Sequence, residues 1–462
     1  MKGFSSLLVA DRGRKARLIH LVDKNSFEGW VKARPAEDRA LLAAHRFDGK
    51  KGCASVILPR GGEFEVVSAV ADAGKLSPWC LARLAETLPG GTYRLAEIAP
   101  GKASLGWLLA QHRLDKYQEK PPSEHGERVL VTSEVSAIET MIRIAEATAL
   151  VRDLVNTPTI DLGPAELEQA VREQLPSFDV KVVLGEQLAE GYPLIAAVGA
   201  AAAEGREARL IEAEWGSPEH PRIAIVGKGV CFDSGGLDIK SAGGMRLMKK
   251  DMGGAAHALA LARLIAAERL PVRVHLLIPA VENAVSGAAL RPGDIVRSRK
   301  GLHVEIDNTD AEGRLILADA LAKAAEAEPK LIVDFATLTG AARVALGPEL
   351  PALFANDDAL SAAVESAAKE SEDPVWRMPL WDGYDEMLKS DIADLVNSAP
   401  SSMGGAIVAA MFMKRFVPAQ TPWVHFDTFA WRDGSKPGRP RGGDALGLRA
   451  TFAALQQLYP RN

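Results

Sequence analysis

The stretch Arg222-Ile223-Ala224-Ile225-Val226-Gly227-Lys228-Gly229-Val230-Cys231-Phe232-Asp233-Ser234-Gly235-Gly236-Leu237-Asp238-Ile239-Lys240 decides the fold. Its first five residues read as a buried strand, and the glycine-rich polar segment follows at once. Three further runs have the same apolar character: Val180-Lys181-Val182-Val183-Leu184, Val272 to Ile278, and Leu331-Ile332-Val333-Asp334-Phe335. Helical periodicity near Met245 to Leu270 and Gly313 to Glu328 separates the last three strands. Strands alternating with helices predict an α/β domain with a mostly parallel central sheet. Such sheets place ligands beyond the C-terminal ends of their strands, so the chemistry belongs after Val226.

Working outward, 462 residues exceed what one core usually organises, and two domains are expected. Residues 1–125 read as a smaller N-terminal α/β domain with short elements, among them the run Ala54 to Leu58 and a helix over Trp79 to Leu88. The polar, proline-bearing stretch Glu119 to Glu127 marks a boundary or surface loop. From Ser133 to Val155, Ile138, Met141, Ile142, Ile144 and Ala145 recur at helical spacing, predicting a long helix within a linker over 126–160. The catalytic domain is then assigned to 161–462.

Hydrophobic residues at 47% and charged residues at 25% are those of an ordinary globular protein. A net charge of -5 gives no electrostatic reason to expect nucleic acid as a partner. No run approaches the ~20 apolar residues of a membrane-spanning helix, and the apolar stretch before Asp11 is too short for a secretory signal. Three cysteines, Cys53, Cys80 and Cys231, include no C-x-x-C pair, which argues against a disulfide framework and fits a cytoplasmic setting.

The segment after Val226 fits none of three common motifs. A P-loop requires Ser or Thr after Gly-Lys, where Gly229 stands; a dinucleotide fingerprint requires a glycine at Phe232; a nucleophile elbow at Ser234 requires a glycine there too. What remains is carboxylates. Asp233 is read as lying in a glycine turn, and Asp251 as sharing a helical face with Met248. Asp310, Glu312 and Arg314 alternate where a helix begins, so an extended backbone would point all three one way. Carboxylates among apolar residues require a cation, and carboxylates from several strand ends suit hard or borderline divalent ions. Any one of these acids alone is more often a turn residue or cap. The nine histidines are scattered, without an H-E-x-x-H zinc motif. The residues favour a two-metal hydrolase. A two-metal phosphoesterase and a non-catalytic binding or scaffold protein remain as alternatives.

The blocks Val226 to Val230, Phe232 to Gly236, Lys249 to Ala256 and Asn308 to Leu315 together resemble the leucyl aminopeptidase (cytosol aminopeptidase) family. Arg152 to Asn156, Ala336 to Ala341 and Ser401 to Ile407 extend the likeness, which runs from about Leu150 onward. The resemblance implies removal of N-terminal residues from peptides with a free N-terminus, by attack of a metal-bridging water or hydroxide. It makes Lys228, Asp233, Asp251, Asp310 and Glu312 the ligands of two divalent ions, manganese or zinc. Lys240 would polarise the scissile carbonyl, and Arg314 would hold a bicarbonate ion as general base. A lysine ligand must be a neutral amine. The family also implies a homohexamer.

Two departures stand out. The loop Ser241 to Met245 differs from common members, and the segment His425 to Trp431 is shorter than usual. The second raises the question of whether Phe429 intrudes on the pocket for the first residue, which Met248 is expected to line, or packs in the core. The basic loop Arg432 to Arg441 reads as solvated.

Overall fold

Arg222–Gly227 is a strand in which every residue after Arg222 is buried, as expected where helices cover both faces of a sheet. The computed structural model describes residues 3–50, 52, 54–119 and 126–461. Two compact units emerge: Met1–Ala149 with Gly434–Pro440, and Leu150–Asp433 with Arg441–Asn462.

In the first unit the described residues form β1 (Leu8–Ala10), β2 (Arg17–Val22), β3 (Val56–Arg60), β4 (Glu63–Ala69), β5 (Gly91–Leu95) and β6 (Arg128–Thr132), ordered β1-β6-β5-β2-β4-β3. Only the edge pair β3–β4 is antiparallel. Its core gathers Ile19, Val66, Tyr93, Trp107 and Leu130, with Trp107 Nε1 donating to Arg128 O at 2.8 Å. β6 corrects the linker reading, because residues placed in the linker pair with β1 and β5 inside the sheet. Most of the boundary loop read at Glu119 to Glu127 lies outside the described residues. The long helix spans Ile138–Asn156 after a single 3-10 turn at Val135–Ala137, and the division into units falls within it, after Ala149.

The second unit adds β7 (Asp179–Leu184), β8 (Arg209–Trp215), β9 (Arg222–Gly227), β10 (Gly229–Asp233), β11 (Arg273–Asn283), β12 (Ile295–Arg297), β13 (His303–Glu305), β14 (Leu331–Ala336), β15 (Ala352–Ala355), β16 (Trp376–Arg377), β17 (Leu395–Val396) and β18 (Trp423–Asp427). Its main sheet is ordered β16-β15-β18-β14-β9-β11-β8-β7, with β10 paired to β11, while β12, β13 and β17 form a small sheet. The inner strands β18, β14, β9, β11 and β10 all run parallel, and antiparallel pairs join the outer strands β15, β8 and β7 to this block. The sheet is mixed and mostly parallel.

Alternation along β9 splits its side chains between two layers. Ala224 and Val226 join the cluster of the helix Glu312–Ala325, with Leu315, Ile316 and Leu321. The helix Gly253–Ala267 packs against β9, β14 and β11, and its His257 ring lies 5.5 Å from Phe335 of β14. Fully burying each such aliphatic side chain contributes about 1.5–3 kcal/mol. Because the inner strands run the same way, residues following Gly227, Asp233, Asn283, Ala336 and Asp427 leave from one edge. No helix among the described residues is long and apolar enough to cross a membrane.

Candidate metal centre and active-site cavity

Lys228 is the one residue between β9 and β10. Its backbone N–H donates to Phe335 O at 3.0 Å, which fixes its side chain at the sheet edge. Nζ donates to Thr337 O at 3.0 Å and lies 2.5 Å from Asp251 Oδ2 and 2.8 Å from Glu312 Oε1. A Cβ on Gly313 would stand 2.5 Å from Lys228 Cε, so only glycine leaves room for this lysine.

Asp233 corrects the glycine-turn reading: it is the last residue of strand β10. The turn comes two residues later, at Gly235 with φ +89°, and the Gly235 N–H donates back to Asp233 Oδ1 at 2.9 Å. Asn283 Nδ2 donates to the same oxygen at 2.9 Å, and Lys240 Nζ lies 2.7 Å from Oδ2. Asp251 sits in a 3-10 segment, Met248–Met252, not in the following helix, which begins at Gly253. Residues three apart eclipse in a 3-10 turn, so Met248 and Asp251 still face one cavity. Asp251 Oδ1 accepts from Thr337 Oγ1 at 2.8 Å.

The stretch around Asp310 is likewise not extended. Glu312 opens the helix Glu312–Ala325, and convergence of Asp310, Glu312 and Arg314 comes from that helix start. One ligand atom each from Asp233, Asp310 and Glu312 lie within 4.8 Å of one another. Lys240 Nζ also pairs with Asp310. Arg314 is buried, its Nη1 donates to Asn397 O at 2.8 Å, and its Nε has no hydrogen-bond partner.

The electrostatics follow from this crowding. Burial pushes Glu312 up to about 8, with the charges of Asp233 and Asp251 adding to the shift and Lys228 opposing it. Burial and the Asp233 charge raise Asp310 to about 6. Burial works to lower Lys228, but Asp251, Glu312 and Asp233 outweigh it and hold the lysine above its usual range. Lys240 is raised in the same way by Asp233 and Asp310 against its burial. Burial pulls Arg314 down to about 10.

Asp251 Oδ2 and Glu312 Oε1 meet Lys228 Nζ, and Asp310 Oδ1 meets Lys240 Nζ, and these three buried oxygens have no further hydrogen-bond partner among the described residues. Buried carboxylate oxygens are normally satisfied. Carboxylates held only by lysine ammoniums, gathered from two chain segments, are a donor arrangement that divalent ions fit. All seven residues singled out from the sequence line one cavity of about 910 Å³: Lys228, Asp233, Lys240, Asp251, Asp310, Glu312 and Arg314.

Sequence reasoning missed Lys250, a buried lysine that also lines this cavity, and Thr337 and Asn283, which orient the carboxylates. Phe429 also lines the cavity, and its ring is not core packing. The basic loop is corrected in part. Arg432 is buried and paired with Asp444 at 2.8 Å and Glu349 at 2.7 Å, and Arg439 lies 4.5 Å from the centroid of the Trp79 ring.

Comparison with known proteins identifies the family. Residues 149–452 match the catalytic domain of the cytosol aminopeptidase family, and residues 18–129 match the N-terminal domain of the M17 aminopeptidases. A probable cytosol aminopeptidase of Syntrophotalea carbinolica is 40% identical over 368 residues, 76% of this chain and 74% of the relative. The crystal structure of a cytosol aminopeptidase from Coxiella burnetii superimposes with a TM-score of 0.91 at 42% identity, covering 98% of this chain and 99% of that one. The bottromycin maturation enzyme BotP in complex with Mn superimposes with a TM-score of 0.85 at 33% identity, covering 96% of this chain and 100% of that one. These relatives favour neither a phosphoesterase nor a non-catalytic scaffold. The chain belongs to the cytosol aminopeptidase family and is a metal-dependent aminopeptidase.

Proposed function

We infer that Lys228, Asp233, Asp251, Asp310 and Glu312 hold two divalent ions, manganese or zinc, and that Lys240 and Arg314 act on the substrate beside them. The observation that carries this reading is the approach of Asp233, Asp310 and Glu312 to within 4.8 Å of one another, like charges held together by the ammonium groups of Lys228 and Lys240. The family resemblance would make Asp233 and Glu312 the ligands shared between the ions. Lys228 joins as a neutral amine once cationic charge stands between the carboxylates it now pairs with. Manganese is supported by the carboxylate donors and by the complex of the similar BotP.

The ions would supply Lewis acidity toward the carbonyl and lower the pKa of water toward neutrality. The chain's own groups do the rest. Lys240, held by Asp233 and Asp310, keeps an ammonium at the mouth of the cluster and stabilises the oxyanion of the first peptide bond. Arg314 lines the cavity with a buried Nε that has no hydrogen-bond partner, and its guanidinium would hold a small anion such as bicarbonate, which would supply a general base. Thr337 and Asn283 fix the carboxylates of Asp251 and Asp233.

A homohexamer in the cytoplasm is proposed for the assembled enzyme. Exposed apolar side chains such as Val344, Trp376, Trp381 and Met403 support burial against further copies. Release of amino acids from a panel of aminoacyl anilides, with manganese or zinc and with chelator, tests reaction class and metal need together. Turnover that depends on added metal is expected, and turnover indifferent to chelator would contradict the reading.

A further inference from the structure

Two cations lie over one aromatic ring in the active-site cavity. Lys250 Nζ is 5.1 Å and Arg343 Cζ 4.7 Å from the centroid of Phe429. All three residues line the cavity beside Met248. Lys250 is only 5% exposed. Its nearest acid is Asp251, whose Oδ1 is 3.7 Å away and already accepts from Thr337. Among the described residues Lys250 Nζ makes no hydrogen bond, and Arg343 pairs with no carboxylate.

A buried ammonium without a hydrogen-bonded counterion is costly, and the face of an aromatic ring offsets only part of that cost. Two cations facing one cavity, with Asp251 at 3.7 Å from Lys250 as the acid beside them, favour an anion there. Resting on the peptidase reading above, we propose that Lys250 and Arg343, set over Phe429, form a subsite that binds a carboxylate of the peptide substrate. Lys250 adjoins Asp251 in the chain, so a carboxylate held there lies within a side chain's length of the acidic cluster. Two sources share this chemistry: the side chain of an acidic first residue, and the free C-terminal carboxylate of a dipeptide. The ring that lines the cavity then carries the cations that admit a charged residue. The rival account is that the two cations merely stack on Phe429 and hold the ring.

The test compares kcat/KM of the manganese-supplemented protein for glutamyl, glutaminyl and leucyl anilides, and for a leucyl-glycine dipeptide against its amide. Anilides lack a terminal carboxylate, so the first set reads the side-chain source and the second the terminal one. The expected result is a glutamyl-over-glutaminyl preference of roughly ten- to hundredfold, the scale of a charged hydrogen bond. Lys250→Met and Arg343→Met should each reduce that ratio, and Arg343→Glu, on an exposed position, should turn preference toward lysyl anilide. If instead the dipeptide is favoured over its amide with the same dependence on both cations, the subsite stands and the terminal carboxylate is its ligand. Both ratios near one in the parent, or unchanged in every variant, would overturn the subsite while leucyl turnover left the peptidase reading intact. If no anilide is turned over, the peptidase reading fails. Calorimetric binding of free glutamate against glutamine then decides the subsite: tighter glutamate binding lost in Lys250→Met supports it, and equal binding overturns it.

Discussion

Asp23 in the first unit and Glu312 in the second are both buried carboxylates, and their surroundings are opposite. Asp23 Oδ1 accepts from the N–H groups of Asn25 (2.9 Å) and Ser26 (2.8 Å), and Oδ2 accepts from that of Ala73 at 2.8 Å. Those donors, Ala73 first, hold it down at about 2. Glu312 is raised to about 8 by burial and by neighbouring acids, and its Oε1 meets Lys228 Nζ at 2.8 Å but no backbone donor. A carboxylate that backbone donors satisfy is a structural clamp. One that is buried among other acids and held by a lysine ammonium is a candidate functional group. The contrast separates the unit that stabilises from the unit that reacts.

The strongest way to break the comparison is to remove the clustered acids. Asp251→Ala and Glu312→Ala should each lower peptidase activity at least about a thousandfold and impair metal retention, while leaving a folded protein. Full metal load by elemental analysis with near-normal turnover in both variants would remove the assignment. Arg314→Ala, which touches no ion, should cost about a hundredfold to ten-thousandfold in kcat with metal content kept. Added bicarbonate should then stimulate the parent more than the variant, and an equal response would refute the anion-holding role.

Phe429 sharpens the picture within the reactive unit. Because its ring lines the cavity, Phe429→Ala should raise the leucyl-to-alanyl ratio of kcat/KM by roughly ten- to two-hundredfold. An unchanged ratio would place the first residue elsewhere. The smallest effect falls in the first unit. Asp23→Ala should destabilise it by about 1–3 kcal/mol with kcat/KM nearly unaltered. The sign of its pH dependence follows from a carboxyl at about 2 when folded against 3.8 otherwise. Its stabilisation is complete above the higher value and fades as pH falls through the lower. Thermal unfolding of parent and variant should therefore differ at neutral pH and converge near pH 2, and a constant difference across that range would exclude Asp23 as the cause.

The reactive unit was largely legible in the sequence because its chemistry sits in contiguous blocks at strand ends. The strands around Val226, Leu331 and Val272 carry long apolar runs; Lys228 and Asp233 follow the first of them, and Asp310 and Glu312 follow the short strand His303–Glu305. Strand β10 escaped because Gly229 opens it and a register shift interrupts its pairing between Val230 and Phe232, so neither composition nor alternation marks it. The 3-10 turn before Gly253 was hidden inside a continuous helical pattern, since i and i+3 periodicity suits both forms. Asp310 and Glu312 converge through a helix start that local spacing could not distinguish from an extended segment. Lys250 gave no signal, because a lysine beside a lysine reads as solvated until burial is known. The first unit showed little for a different reason. Its sheet closes through the distant pair β1–β6, a contact between residues 8–10 and 130–132 that no local pattern carries.

The acids around Lys228 are proposed to form a centre for two ions. Calorimetric titration of Mn²⁺ into chelator-treated protein, with peptidase activity followed in parallel, measures it directly. The account predicts two equivalents bound per chain, activity returning with them, and loss of at least one equivalent in Glu312→Gln. Undiminished activity after chelation, or an unaltered stoichiometry in that variant, would contradict it.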